Sequence, residues 1–201
     1  MPSVLELARS RISVRKFLRE DVDLEDLYYA VEVARNAPSG ANRQPWRFLI
    51  VRDPAVKREI RRVCEEAERR FHDNAPEWMR EWFNEKGITW EKPFLEEAPV
   101  LVLVLAKVDE PYAVQSVWLA IGYMILALEE RGLASLTYTP SDVTWIHDLL
   151  GVPRGYVLQA IIPVGKPGES HTKERLKLDE ILFCEKWGAA CRQSSGQSTE
   201  G

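Results

Sequence analysis

The sequence predicts an α+β fold in which helices flank a sheet, and three features carry that reading. The run Pro99 to Ala106 (PVLVLVLA) is apolar at every position, as a central strand covered on both faces requires. Tyr112 to Arg131 has helical length and leaves almost no polar face between Val117 and Leu128, so it must be buried on more than one side. Two further strand-like runs, Trp46 to Val51 and Leu158 to Val164, alternate with helical patterns. With 45% hydrophobic and 29% charged residues, one substantial core is expected, in a single domain over residues 1–187.

The elements follow in order. Ser3 with Glu6 is a capping-box pattern opening a short helix to about Arg9, and Asp23 with Asp26 starts a second that reaches about Asn36. Between them lies a basic loop, Arg11 to Arg19. Trp46 to Val51 reads as a buried strand, and Asp53-Pro54 caps a charged helix to about Phe71. Its Lys57 to Arg70 run alternates basic residues with Glu and reads as a solvated face. His72 to Glu97 concentrates Trp78, Trp82, Phe83, Trp90 and Phe94 among charges and reads as an excursion from the core, either a substrate lid or packing. Gly122 inside the apolar helix suggests a point of close approach, the helix being either the core axis or a subunit interface. Gly132 closes that helix, Leu133 to Tyr138 forms a strand, and Ser141 caps a helix ending at Gly151. From about Gly188 to residue 201 the Ser, Gly and Gln content predicts a disordered tail.

Charge and spacing exclude several classes. Twenty-seven basic residues against 31 acidic ones give a net charge of −4, which gathers neither nucleic acid nor a membrane surface. The Val117 to Leu128 stretch is too short to span a bilayer, so a soluble, cytoplasmic protein is expected. Cys64, Cys184 and Cys191 fit neither a CxxC pair nor a disulfide framework and are expected to be reduced. His72, His147 and His171 lack metal-ligand spacing, and without GxGxxG or Walker sequences a separate nucleotide domain is unsupported.

Three segments could carry chemistry. Arg11, Ser13 and Arg15 alternate, so in an extended chain two guanidiniums and a hydroxyl project on one side, a set suited to phosphate and equally to a solvated basic loop. Pro38-Ser39-Gly40-Ala41-Asn42-Arg43-Gln44-Pro45-Trp46 is a stiff turn in which Gly40 lets backbone amides approach a ligand, or it is an ordinary connection. Thr137-Tyr138-Thr139-Pro140 ends a strand, where ligand contacts gather and where hydroxyls also serve as caps.

Together with the Ala120-Ile121-Gly122 helix and Arg175-Leu176-Lys177-Leu178-Asp179, these segments resemble the FMN-dependent nitroreductase superfamily, closest to its iodotyrosine deiodinase-like branch, from about Ser10 to Ile181. The resemblance implies a nitroreductase-like sandwich with a mainly antiparallel sheet, an intertwined homodimer joined along the apolar helix, and FMN-dependent reduction of small aromatic acceptors: nitroaromatics, quinones or halogenated phenols such as halotyrosines, with NAD(P)H as donor. It places the cofactor against Arg11, Ile12, Ser13, Val14, Arg15, Pro38, Ser39, Gly40, Thr137, Tyr138, Thr139, Pro140 and Arg175. Thr139 is the implied catalytic hydroxyl, donating to flavin N5 and favouring single-electron steps. The Ala41 amide, Glu68, Phe71 and Lys92 are the implied substrate contacts, within a lid over about 72–97. Deiodinases hold their substrate's amino-acid part with a Glu, Tyr, Lys set. Lys92 matches the lysine, but Phe71 stands at the tyrosine position and the glutamate falls at or beside Ala67, next to Glu68. A non-catalytic flavin-binding or flavin-processing protein is the competing reading.

Overall fold

A computed structural model describes residues 2–191. The chain divides into two compact units, Met1–Ser170 and His171–Gly201. The boundary falls inside the domain expected over residues 1–187, and the tail from residue 192 onward lies outside the described residues.

The first unit is built on an antiparallel sheet whose four strands, among the described residues, run in the order β1 (Trp46–Val51), β2 (Val100–Lys107), β4 (Tyr156–Gly165), β3 (Ala134–Ser135). The apolar run supplies β2, central as its composition requires, and its alternate residues split between two cores. Val100, Val102, Val104 and Ala106 face α2 (Leu24–Ala34) and α6 (Ala113–Glu130). Leu101, Leu103 and Leu105 face α3 (Pro54–Asp73), α5 (Phe94–Glu97) and α7 (Ile146–Leu150). Truncating fully buried Leu103 to alanine should cost about 2–5 kcal/mol through lost transfer energy plus the cavity left behind.

Start signals are realised as read. Ser3 accepts the Glu6 amide while Glu6 returns a bond to the Ser3 amide, opening α1 (Val4–Ser10), and Asp53 accepts from Ala55 and Val56 with Pro54 in the first turn of α3. Helix α2 ends at Ala34, two residues short of the expected Asn36.

Five expectations are corrected. Beyond Ser135 the strand continues in the same register but loses its ladder, because Pro163 opposite has no amide to donate; pairing resumes as an isolated bridge between Tyr138 and Ile161. Ser141 does not cap α7: its amide donates to Glu68, Asp142 turns the chain by accepting from Thr144, and the helix starts at Ile146. The charged face of α3 is solvated only in part, since Lys57 and Glu68 are buried beside Ile60, Cys64 and Ala67. The Lys57 ammonium donates to the carbonyls of Ala98 at 2.6 Å and Pro99 at 3.3 Å, pinning α3 to the entry of β2. Gly122 is not a close approach within this chain, because a Cβ there would meet no atom within 4 Å. It lies on an outer stripe of α6 that exposes Val114, Trp118, Leu119 and Tyr123, while the opposite side packs on the sheet. By length and composition α6 could cross a bilayer, but here it is a core helix.

The fifth correction concerns the second unit. Cys184 and Cys191 form a disulfide with their Cα atoms 4.9 Å apart, where reduced thiols were expected. Left-handed Glu185 and Gly188 fold the intervening chain back, so that the Cys184 amide reaches the Ala189 carbonyl, a reversal that the seven-residue spacing does not announce. Of the expected tail, residues 188–191 are held in this loop. Helix α8 (Leu178–Ile181) precedes it, with the Lys177 amide bonded to Glu180.

Candidate active site

The N-terminal arm after α1 is extended, as its alternation predicts. Ser13 bridges Ser135 in parallel, the Val14 amide donates to the Ser135 carbonyl at 3.1 Å, and Phe17 bridges Pro167. Val14 is driven into the core, 1% exposed, which sends Arg15 outward and leaves Arg11, Ile12 and Ser13 partly exposed. Two amides at the arm's bend, Arg15 and Lys16, donate to the Glu169 carboxylate. A shallow groove of about 200 Å³ beside Ile12 and Val14 carries Glu129 and Glu169, the wrong charge for an anion. Arg175 belongs to the second unit, where it is exposed and bonded to the Glu174 carbonyl.

Electrostatics tie the arm to the excursion. Lys92, mostly buried, has its pKa lowered by desolvation first, offset by Glu68, Glu65 and Cys64, and lowered further by Arg15. Arg15, 77 positions earlier in the chain, is thus the least of the charges acting on Lys92. The Lys92 amide donates to Glu65 at 2.7 Å and its ammonium to the Thr89 carbonyl at 2.5 Å, while Glu68 stands 4.0 Å away.

Beside Lys92 lies the strand-end turn. Tyr138 is buried and packs edge-on to Phe94, while Thr139 is exposed between partly exposed Thr137 and Pro140. Burial first, then Cys64 and Glu68, holds the Tyr138 phenol far above its ordinary pKa, and burial also raises the Cys64 thiol; both stay protonated.

The Pro38 to Gln44 turn packs elsewhere, against the start of α6. A Cβ on Gly40 would lie 2.8 Å from the Tyr112 ring and 2.9 Å from the Pro111 carbonyl, so only glycine fits. The Gly40 amide donates to Ser116, the Gln44 amide to the Ser39 hydroxyl, and Arg43 pairs with Glu110, which also takes Lys107 at 3.0 Å. These bonds hold Ala41, Asn42 and Gln44 at positive φ, with Ala41 exposed at φ 47°.

The excursion contains α4 (Glu77–Lys86). Phe71, Trp78, Met79, Trp82 and Phe83 line an open, almost wholly apolar groove of about 640 Å³. His72 stacks on Phe83 with ring centroids 4.3 Å apart. Ala67 is buried, Phe71 is exposed, and neither offers a polar atom at the end of its side chain.

The model of the family described as Nitroreductase matches residues 8–166, from within α1 to just past β4. This chain belongs to the Nitroreductase family. Among its relatives, iodotyrosine deiodinase of Thermotoga neapolitana is 49% identical over 173 residues, covering 86% of this chain and 93% of that one, and iodotyrosine deiodinase of Haliscomenobacter hydrossis is 35% identical, covering 79% and 77%. A solved iodotyrosine deiodinase bound to FMN and 3-iodo-L-tyrosine superposes with a TM-score of 0.86 at 46% identity, covering 92% of this chain and all of that one. The match spans the arm, the strand-end turn and the excursion. It does not supply the contacts that sequence reading missed. The Glu68 bonds and the Arg43–Glu110 pair had no signal, because each joins residues about 70 positions apart in the chain.

Proposed function

We propose that this chain is an FMN-dependent oxidoreductase that reductively dehalogenates halogenated phenols, halotyrosines first among them. The observation that carries the reading is the gathering of Lys92 and the turn of exposed Thr139 about one carboxylate, Glu68, in a chain 49% identical to an iodotyrosine deiodinase. Arg11, Ser13, Arg15 and Arg175 would hold the FMN phosphate and ribityl chain: forked guanidinium donors match phosphate oxygens, and three of them suit a dianion. Ile12, Val14, Thr137, Tyr138 and Pro140 would border the ring. Bound there, FMN supplies the electron transfer that no side chain can.

The remaining work falls to this chain's own groups. Thr139 would present its hydroxyl to flavin N5 and so steer single-electron steps. A second copy, docked along the exposed stripe of α6, would bring Pro38, Ser39 and Gly40 to the flavin and the Ala41 amide to the substrate's phenolate oxygen. An isologous contact of this kind makes two equal sites per homodimer. Lys92 would attract an anionic oxygen, and Phe71, Trp78 and Trp82 would cover the ring and exclude water. With NAD(P)H as donor, the aryl–iodine bond is replaced by aryl–hydrogen, iodide leaves, and the nicotinamide is oxidised. The chain would act in the cytoplasm.

The purified protein should be yellow, bleach with NAD(P)H or dithionite, and regain colour when 3-iodotyrosine is added, releasing iodide. Recovery with nitroaromatics or quinones alone would redirect the acceptor. Flavin unchanged by both reductants would leave a non-catalytic flavin-binding or flavin-processing protein. Replacing Arg15 and Arg175 together by alanine should weaken FMN binding by about 10²–10⁴-fold, at roughly 1.5–3 kcal/mol for each charged hydrogen bond lost. Retention at wild-type affinity would refute the phosphate role.

A further inference from the structure

We infer that Glu68 is a positioning residue: its carboxylate fixes the turn that carries Thr139 and links that turn to Lys92. The inference rests on the flavin reading above and reassigns Glu68 from contacting substrate to holding the hydroxyl in place.

Glu68 sits on the inner side of α3, 8% exposed. One oxygen, Oε1, accepts from the Tyr138 hydroxyl at 2.9 Å and from the Ser141 amide at 3.1 Å. Those two donors bracket Thr139 and Pro140. On the near side the chain is fixed twice, because the Tyr138 amide donates to the Ile161 carbonyl at 3.0 Å and the Ile161 amide donates to the Tyr138 carbonyl at 2.8 Å. On the far side the tie is the Ser141 amide, and it ends on the same carboxylate. Thr139 is thus an exposed residue strung between two anchored neighbours. Tyr138 keeps its proton in this setting and can only donate to the carboxylate.

The second oxygen, Oε2, faces the Lys92 ammonium at 4.0 Å. A carboxylate holding two protein donors on one oxygen and an ammonium before the other is already occupied, so it makes a poor ligand for a substrate ammonium. It makes a good spacer. A hydroxyl donor must lie about 2.5–3.0 Å from its acceptor to bond well, so a slack turn removes the bond.

The test uses full-length protein with three substitutions: Glu68→Gln, which keeps an oxygen acceptor; Glu68→Ala, which removes it; and Tyr138→Phe, which keeps the ring and removes one tie. FMN affinity is measured first by flavin fluorescence. A wild-type chain that binds no FMN overturns the flavin reading and this inference with it. If FMN binds, Glu68→Ala should hold it within about threefold of wild type, because a carboxylate supplies no donor to the phosphate. In the same variant the flavin midpoint potential should shift and kcat should fall about tenfold at nearly constant KM, equivalent to one lost hydrogen bond. Glu68→Gln should recover both within about twofold, and Tyr138→Phe should fall between. Wild-type potential and kcat in Glu68→Ala overturn the inference. So does a glutamine variant as impaired as alanine, or a change confined to acceptor KM, which would make Glu68 a direct substrate ligand. Should the alanine variant fail to fold, an impaired Tyr138→Phe beside an intact Glu68→Gln supports the inference, and the reverse pattern overturns it.

Discussion

The turn at Pro38 to Gln44 and the excursion after α3 are both assigned to the ligand, yet they are built in opposite ways. The turn is small, polar and fastened at several points: Ser116, Ser39 and Glu110 hold it, the Pro111 carbonyl and Tyr112 side chain lie close against Gly40, and three of its residues keep positive φ. The excursion is large and apolar, with Trp78 65% and Trp82 46% exposed. The contrast fits the two tasks proposed for them. An amide aimed at an oxygen works only within a few tenths of an ångström, and directional bonds secure that. A cover that excludes water needs area, and non-directional apolar surface supplies it.

Substitutions can break or sharpen the contrast. The largest effect is expected from Gly40→Ala, whose new methyl has no room against the Pro111 carbonyl and the Tyr112 ring. It should cost about 1–3 kcal/mol, lower Tm by roughly 2–4 °C per kcal/mol and weaken dimerisation, read by melting and sedimentation. Arg43→Ala comes next, removing the Glu110 tie, with a smaller drop in Tm than Gly40→Ala because the solvent screens the pair. Arg43 and Lys107 pull the Glu110 pKa down to about 2. A carboxylate with a depressed folded pKa stabilises above its unfolded value of 4.5 and loses that contribution only as pH falls towards about 2, so the turn should stay fastened through mild acid.

The excursion should behave differently at mild pH. Burial first, then Lys92, lowers the His72 pKa below 6.5. Below that value the unfolded chain takes up a proton that the folded chain resists, so stability is full above 6.5 and declines as pH drops towards the folded pKa. Proteolysis within 72–97 should accelerate between about pH 7 and 5.5 in the wild type and much less in His72→Gln. The smallest stability effect is expected for Trp78→Ser, within about 0.5 kcal/mol, with a raised KM for aromatic acceptors as its sign.

Legibility in the sequence tracked the range of the interaction. Strand β1 has the bounds that Trp46 to Val51 announced, and α1 and α3 begin at their caps, because the deciding contacts lie within four residues. Strand β2 was legible from composition alone. Strand β3 was not, because what interrupts it is Pro163, nearly thirty positions later. Ser141 misled for the same reason: its amide is claimed by Glu68, a partner no local pattern includes. In the site, the alternation of Arg11, Ser13 and Arg15 about buried Val14 was readable from period two. The left-handed residues of the Ala41 turn and the Cys184–Cys191 bond were not, since both depend on chain reversals that ordinary residue types conceal.

Helix α3 is bolted at two places along its length, by Lys57 to the start of the central strand and by Glu68 to the Thr139 turn. Eleven residues separate the bolts, roughly 16 Å of helix at 1.5 Å per residue. Two ties along one helix resist its sliding and pivoting, so a hinge for α4 would lie past Asp73, in the Asn74–Pro76 link. On the function proposed above, movement of α4 would leave the Thr139 turn in place.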